Sequence, residues 1–249
     1  MEIDQRDFGA IDDTLAGARP EEVLEWAWRD LGPSVAMSTA FGPSGLVLVD
    51  MAQRVVPQLP VFTIDTGYLF PETLALKKRI EARYDFQIES LHPRLSVPEQ
   101  DRACGPDLYN RDPDRCCAMR KVEPLQRKLA GLDGWVAGLR RDQSDARAGV
   151  RVVEGYRVSG GRTIAKVNPL AAWTRKQVWD YIVDNDLPYN SLMDQGYSSI
   201  GCWPCTQPAA PGAEERAGRW AGTCKSECGM HVPLMDVEIP QAEGQLAAG

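Results

Sequence analysis

Apolar positions along the first half of the chain alternate between helical spacing and short continuous runs. Residues 20–31, Pro-Glu-Glu-Val-Leu-Glu-Trp-Ala-Trp-Arg-Asp-Leu, set Val23, Leu24, Ala27 and Leu31 on one helical face. Proline at the first helical position and acids behind it suit the positive end of a helix dipole. Gly32-Pro33 stops that helix. The run Val35-Ala36-Met37 reads as a strand, followed by a small-residue loop, Ser38-Thr39-Ala40-Phe41-Gly42-Pro43-Ser44-Gly45, and a helix over 46–55. The plan then repeats, with a strand over 60–64, a loop Asp65-Thr66-Gly67 and a helix over 71–84. Residues 86–91 predict a third strand and 135–138 a fourth, while Thr174 caps a helix over 174–185. Strands alternating with helices predict an α/β fold, a parallel sheet with helices on both faces.

Two stretches break this pattern. Residues 93–118 are polar and rich in Arg, Asp and Pro, so they predict loop with short helical pieces. From Cys202 onward Gly, Pro and Ala accumulate and the periodicity fades, which predicts a mobile C-terminal tail over 206–249. The expected organisation is an N-terminal helical segment over 1–33, an α/β domain over 34–205 and that tail.

Composition narrows the class. With 43% hydrophobic and 25% charged residues in 249, the chain is neither collagen-like, a disulfide-dense mini-protein nor wholly disordered. No apolar run approaches the roughly 18–20 residues that span a bilayer. The start, Met1-Glu2-Ile3-Asp4-Gln5-Arg6, lacks a secretory signal, so no membrane contact and a cytoplasmic location are expected. A net charge of −7 and a pI near 5.0 argue against nucleic acid as a partner. A small anion held by a few converging arginines remains compatible with that charge.

Seven cysteines then call for a use. Cys116-Cys117 is an adjacent pair, and Cys202-Trp203-Pro204-Cys205 is a C-x-x-C behind Gly201. Four thiolates converging from two segments can hold zinc or an iron–sulfur cluster. Successive side chains diverge, so an adjacent pair fits one tetrahedral ion poorly, and the spacing favours a four-iron cluster. Near the C-terminus, Lys225-Ser226-Glu227-Cys228-Gly229-Met230-His231 sets a cysteine beside a cation, an acid and a histidine. Neighbouring cations lower a thiol's pKa and expose the nucleophilic thiolate. Cys104 and Cys224 read as spare thiols. Lys121, Arg140, Arg141, Arg216 and Arg219 are candidates for an anion, since guanidinium groups capture phosphate or sulfate bidentately. The strand–loop–helix over 35–55 can approach a phosphate through backbone N–H groups, although it has no P-loop lysine.

Six of these segments together resemble the assimilatory adenylyl-sulfate reductases. They are Ile64-Asp65-Thr66-Gly67, the run from Cys116-Cys117 to Leu125, Arg140-Arg141-Asp142-Gln143-Ser144, Ile200 to Cys205, Glu215 to Trp220, and Glu227 to His231. The resemblance covers residues 35–231 and implies an adenine nucleotide α-hydrolase-like (PP-loop) fold, with nucleotide and cluster both in the 34–205 domain. It implies reduction of adenosine 5′-phosphosulfate to sulfite and AMP by thioredoxin, through an S-sulfocysteine. Carried onto this chain, it implies one 4Fe–4S cluster on Cys116, Cys117, Cys202 and Cys205, with Cys228 as nucleophile. Lys121, Arg140, Arg216, Arg219 and His231 would face the phosphosulfate, and Thr39, Gly42 and Ile64 would line the nucleotide site. The departure lies at Gly42-Pro43-Ser44-Gly45, where many relatives carry acidic residues after the glycine. Rival readings are a reductase of the 3′-phosphorylated nucleotide, which commonly lacks the four cysteines, and an ATP-pyrophosphatase of the tRNA-thiolation type. The latter predicts a Ser-Gly-Gly-x-Asp-Ser loop that residues 38–45 do not supply. Homo-oligomerisation is left open.

Overall fold

The computed structural model describes residues 6–220, 225, 227 and 229–231. Helices α1 (Phe8–Leu15) and α2 (Pro20–Leu31) precede β1 (Val35–Ser38). Next come α3 (Pro43–Val55), β2 (Val61–Ile64), α4 (Pro71–Tyr84) and β3 (Glu89–Leu91). The polar stretch expected as loop with helical pieces folds as α5 (Val97–Cys104), α6 (Leu108–Arg111) and α7 (Pro113–Cys117). A π-helical turn over Ala118–Val122 joins α7 to α8 (Glu123–Leu129). β4 (Gly134–Val136), β5 (Val153–Arg157), β6 (Thr163–Val167) and α9 (Arg175–Asp184) follow. No helix among the described residues is long and apolar enough to cross a membrane.

The strands form one sheet in the order β3-β2-β1-β4-β6-β5. All neighbours run parallel except β5, which pairs antiparallel with β6 at the edge. The sheet is therefore mixed rather than purely parallel. The physical reason is the short connection over 158–162, which admits a hairpin but not a crossover helix. Val158 N–H donates to the Arg162 carbonyl at 2.9 Å, and Gly160 and Gly161 adopt the positive φ of 91° and 85° that this turn needs.

Strand alternation splits the interior into two cores. Val35, Met37, Val61, Val136, Ala165 and Val167 pack with Val23, Leu24, Leu46, Leu48, Val178 and Ile182, the apolar faces of α2, α3 and α9. Ala36, Phe62, Trp135, Ala137 and Ile164 point the other way and meet Leu125 and Leu129 of α8. Helices cover both faces, as the alternation predicts. α3 begins three residues earlier than its apolar spacing suggests, because Pro43 supplies the first helical residue and Gly42 the cap.

The segment after Cys205 differs from the expected tail. Thr206 bridges to Arg219, Gln207 N–H donates to the Gly218 carbonyl at 2.8 Å, and Trp220 is buried. Backbone bonds and one large ring fold residues 206–220 onto the body without any periodic apolar pattern. Cys224, Cys228 and residues 232–249 lie outside the described residues.

Asp50 joins three helices away from the sheet's carboxyl edge. Its buried carboxylate accepts from Tyr84 Oη at 2.6 Å and Tyr181 Oη at 2.7 Å, and pairs with Arg54 Nε at 2.9 Å. Burial and the adjacent carboxylate push both phenol pKa values up, so both rings remain donors. Asp50→Ala removes the acceptor of two half-buried hydroxyls and should destabilise the protein by about 2 kcal/mol in chemical denaturation. The ligand affinity of the folded fraction should not change.

Candidate functional site

The chain leaves β1 toward β2 but leaves β4 toward β6, so the loops at their carboxyl ends diverge. Ligands of open α/β sheets bind in the crevice such a switch point opens. A cavity of about 210 Å³ lies there. Its floor is the loop after β1, where Phe41 N–H donates to Thr39 Oγ1 at 3.1 Å and Phe41 takes φ 57°. Two glycines permit this packing. A Cβ on Gly45 would meet Thr39 Oγ1 at 2.7 Å, and one on Gly138 would meet the Gly45 nitrogen at 3.3 Å. The N-terminus of α3 is thereby presented to the cavity, which favours an anion. Thr39, Gly42 and Ile64 all line it.

Cations converge on the opposite wall. Lys121, Arg147, Arg216 and Arg219 line the cavity, with the His231 ring beside them, although they come from distant segments. Arg219 lies over the Trp220 ring, with Cζ 4.6 Å from its centroid, and donates to the Ile200 carbonyl at 3.3 Å. Its guanidinium occupies the space a side chain on Gly201 would need. Glu227 balances part of this charge, meeting Arg147 Nε at 2.8 Å and Nη2 at 2.9 Å, and Arg216 at 3.2 Å. Burial opposes ionisation of Glu227, but the Arg147 hydrogen bonds and the surrounding guanidinium charges outweigh it. The carboxyl is held below its usual range.

His231 stacks on Trp135 with ring centroids 5.2 Å apart and planes 7° from parallel. Burial, then the charges of Lys166, Arg147 and Arg216, hold its pKa well below the ordinary value. The ring is therefore neutral, with one nitrogen as donor and the other as acceptor. Among the described residues, His231 Nδ1 and Arg219 Nε are buried without a hydrogen-bond partner. Two unmatched buried nitrogens on one cationic wall fit an anionic ligand.

Arg140, expected at the ligand, stands behind the wall instead. Its side chain is 1% exposed and donates to Ser44 Oγ, to Asp142 at 2.8 Å and to Glu215 at 2.6 Å. It ties the α3 loop to the 215–219 segment. Arg147 takes the cavity-lining place, from the short helical turn Asp145–Arg147. Nothing in its polar surroundings marks it, since one arginine in such a run reads as solvated surface. Arg141 donates to the Val150 carbonyl at 2.8 Å and is exposed.

The four paired cysteines also come together. Cys116, Cys117, Cys202 and Cys205 line a second, smaller cavity with Tyr68, Arg120 and Lys121. The π-helical turn after Cys117 shifts the helix register, so that both cysteines and the two cations after them border this one space. Cys202 is placed by a bridge to Leu69 and by a contact of 3.3 Å between its Sγ and Thr66 Oγ1. Burial and the negative charge of the other three sulfurs push the Cys116 thiol up to about 12. A sulfur set that resists ionisation alone is relieved by a cationic inorganic partner, which suits soft thiolate coordination. Among the described residues no three His, Cys, Asp or Glu side chains surround a single-ion position. Cys104, half-buried at the end of α5, packs beside the cysteine cavity without lining it.

Comparison with known proteins places these features in a family. Residues 34–208 match the model of the phosphoadenosine phosphosulfate reductase domain. The chain is 47% identical to a phosphoadenosine 5′-phosphosulfate reductase of Gloeobacter violaceus, over 93% of this chain and 96% of that one. It is 43% identical to an adenosine 5′-phosphosulfate reductase of Salinibacter ruber, over 87% and 85%. Among solved structures, phosphoadenylyl-sulfate reductase from Candida auris in its phosphate complex superposes with a TM-score of 0.72 at 35% identity. That match covers 83% of this chain and 99% of the other. FMN adenylyltransferase of Candida glabrata in complex with ATP shares the fold alone, with a TM-score of 0.56 at 14% identity over 95% and 82%.

The pKa directions make the docking of Glu227 and His231 pH-dependent. A histidine kept neutral contributes stability above its ordinary value of 6.5 and loses it as the undocked imidazole protonates below that pH. Glu227, held low, adds a second loss below its ordinary 4.5. Amide exchange over 225–231, relative to an unstructured reference peptide, should therefore accelerate between about pH 7 and 5.5. His231→Phe, which retains a ring for stacking, should flatten that dependence.

Proposed function

The chain belongs to the phosphoadenosine phosphosulfate reductase family, and on that premise we propose that it reduces adenosine 5′-phosphosulfate to sulfite and AMP in sulfate assimilation, with thioredoxin as reductant. The observation that carries this reading is a shared wall: Lys121 and Cys202 border both the cationic cavity and the four-cysteine cavity. An anion site fused to a sulfur cage suits a substrate with two adjacent anionic groups. The relatives named adenosine 5′-phosphosulfate reductases favour that nucleotide. The name of the Gloeobacter relative favours a second reading, reduction of the 3′-phosphorylated nucleotide.

Cys116, Cys117, Cys202 and Cys205 would hold a 4Fe–4S cluster, one per chain. The fit rests on four thiol donors in one buried cavity whose charges repel when ionised. When bound, the cluster supplies a fixed electrostatic and structural anchor beside Lys121.

The chain's own residues account for the chemistry. Backbone N–H groups at the α3 N-terminus and the loop from Thr39 to Gly42 receive the nucleotide, with Ile64 beside it. Lys121, Arg147, Arg216, Arg219 and neutral His231 hold the phosphosulfate and neutralise charge that would repel a thiolate. Cys228, one residue beyond the clamped Glu227, attacks the sulfate sulfur. An S–S bond forms, the bridging S–O bond breaks, and its electron pair leaves with AMP. Thioredoxin's thiolate then attacks Cys228 Sγ and expels sulfite with the S–S electron pair. Thioredoxin's second thiol resolves the mixed disulfide and returns Cys228 as a thiolate. Sulfur gains two electrons and thioredoxin's dithiol becomes a disulfide. Arg140 acts behind this arrangement by tying Ser44 to Glu215.

Protein purified anaerobically should carry about four irons per chain and absorb broadly near 400 nm. Cys202→Ser should bleach it. Stoichiometric zinc without iron would contradict the cluster assignment.

The reaction itself is tested by incubating the chain with each nucleotide without thioredoxin. Adenosine 5′-phosphosulfate should leave a sulfonate on Cys228, detected by mass spectrometry, and release one AMP per chain; sulfite should appear only after thioredoxin is added. Cys228→Ser should abolish the adduct and leave iron content unchanged. Arg147→Ala or Arg216→Ala should slow adduct formation about ten- to a hundredfold. A higher kcat/KM for the 3′-phosphorylated nucleotide would establish the second reading instead.

A further inference from the structure

We propose that Tyr156, on the edge strand β5, is a positioning residue that docks the segment carrying Cys228, a role that rests on the functional reading above. The argument is one of hydrogen-bond polarity. Ser159 N–H donates to Gln126 Oε1 at 2.9 Å, which fixes the direction of the Gln126 amide. Gln126 Nε2 then donates to Tyr156 Oη at 3.0 Å. With that donor on its oxygen, Tyr156 directs its own proton to the Met230 carbonyl, also at 3.0 Å. A direction imposed at the β5–β6 turn is thus passed to the backbone two residues beyond Cys228.

The relay is rigid because it is dry. Gln126 is 5% exposed and Tyr156 7%. The Tyr156 ring stands edge-on to Trp135, with centroids 5.1 Å apart, and Trp135 carries the stacked His231 on its face. Lys166 lies 5.7 Å from the centroids of both rings and is itself paired with Glu154 at 2.8 Å. One aromatic pair therefore holds Met230 by its carbonyl and His231 by its ring. Gln126 sits on α8, which continues directly from the turn presenting Lys121. The terminal segment is accordingly referenced to the same element that faces the anion cavity. Because the acceptor is a backbone carbonyl, this contact fixes the path of the chain and does not depend on the side chain at position 230.

Tyr156→Phe keeps the ring against Trp135 and removes only the hydroxyl. In the full-length protein three quantities are measured: amide exchange over 225–231 without substrate, the single-turnover rate of Cys228 sulfonation, and AMP affinity. Exchange should accelerate and sulfonation should slow about three- to tenfold, the effect of one neutral hydrogen bond. AMP affinity should stay within about twofold, since Tyr156 does not line the anion cavity. Unchanged exchange and sulfonation would overturn the proposal. If the unaltered protein forms no Cys228 adduct, the functional reading falls; exchange in Tyr156→Phe then decides the docking role, faster exchange supporting it and unchanged exchange refuting it. Should Tyr156→Phe fail to fold, Gln126→Met, which leaves ring and hydroxyl but frees their direction, carries the same pair of measurements.

Discussion

Like charges crowded into one buried cavity repel, and much of the site is built to contain that repulsion. Lys121, Arg147, Arg216 and Arg219 share a wall in a protein whose net charge is −7. Scattered surface acids cannot offset them, because screening limits their reach to about 10 Å at ordinary ionic strength. The compensation is local. Glu227 meets two of the arginines, and the Trp220 ring faces four cations, with Lys121, Arg216, Arg219 and Lys225 between 4.6 and 5.9 Å from its centroid. An aromatic face stabilises a cation without neutralising it. The wall can stay positive toward a ligand and still fold.

That arrangement constrains the backbone around it. Segments far apart in sequence must reach one crevice, and they do so at points where ordinary geometry is relaxed. Gly201 leaves room for the Arg219 guanidinium, Gly138 lets the β4 loop lie on the α3 loop, and the π-helical turn redirects the chain between Cys117 and Lys121. Each departure serves two neighbours at once. The turn, for instance, puts Cys117 on one cavity and Lys121 on both.

The β–α alternation, the cap at Thr174, the small-residue loop and the convergence of the four cysteines were legible in the sequence. Each is a local pattern with a local physical cause. The β5–β6 hairpin was missed although Ser159-Gly160-Gly161 marks a turn, because its strands carry Arg, Lys and Gly among few large apolar residues. The folded 206–220 segment gave no signal either, since backbone pairing and the burial of Trp220 hold it. Cys228, which its motif marks as the candidate nucleophile, lies outside the described residues.

Arg140 and Arg147 show where such reading stops. Both follow β4, their side chains are only 1% and 10% exposed, and residue type cannot separate them. What separates them is how their donors are used. Arg140 is matched on three sides by Ser44, Asp142 and Glu215, all within the folded scaffold, so a ligand would have to displace protein partners to reach it. Arg147 also has every nitrogen matched, by Gln143 at 2.6 Å and by Glu227, but it opens onto the cavity, and Glu227 belongs to the terminal segment rather than to the sheet. Arg219 goes further, with a buried Nε that has no partner among the described residues. A buried donor left unmatched costs about 1–3 kcal/mol, a cost that binding an anion removes. An edge open to the cavity, as at Arg147, or an unmatched donor, as at Arg219, therefore distinguishes a residue that faces a ligand from one that holds the fold, and only the packed structure discloses it.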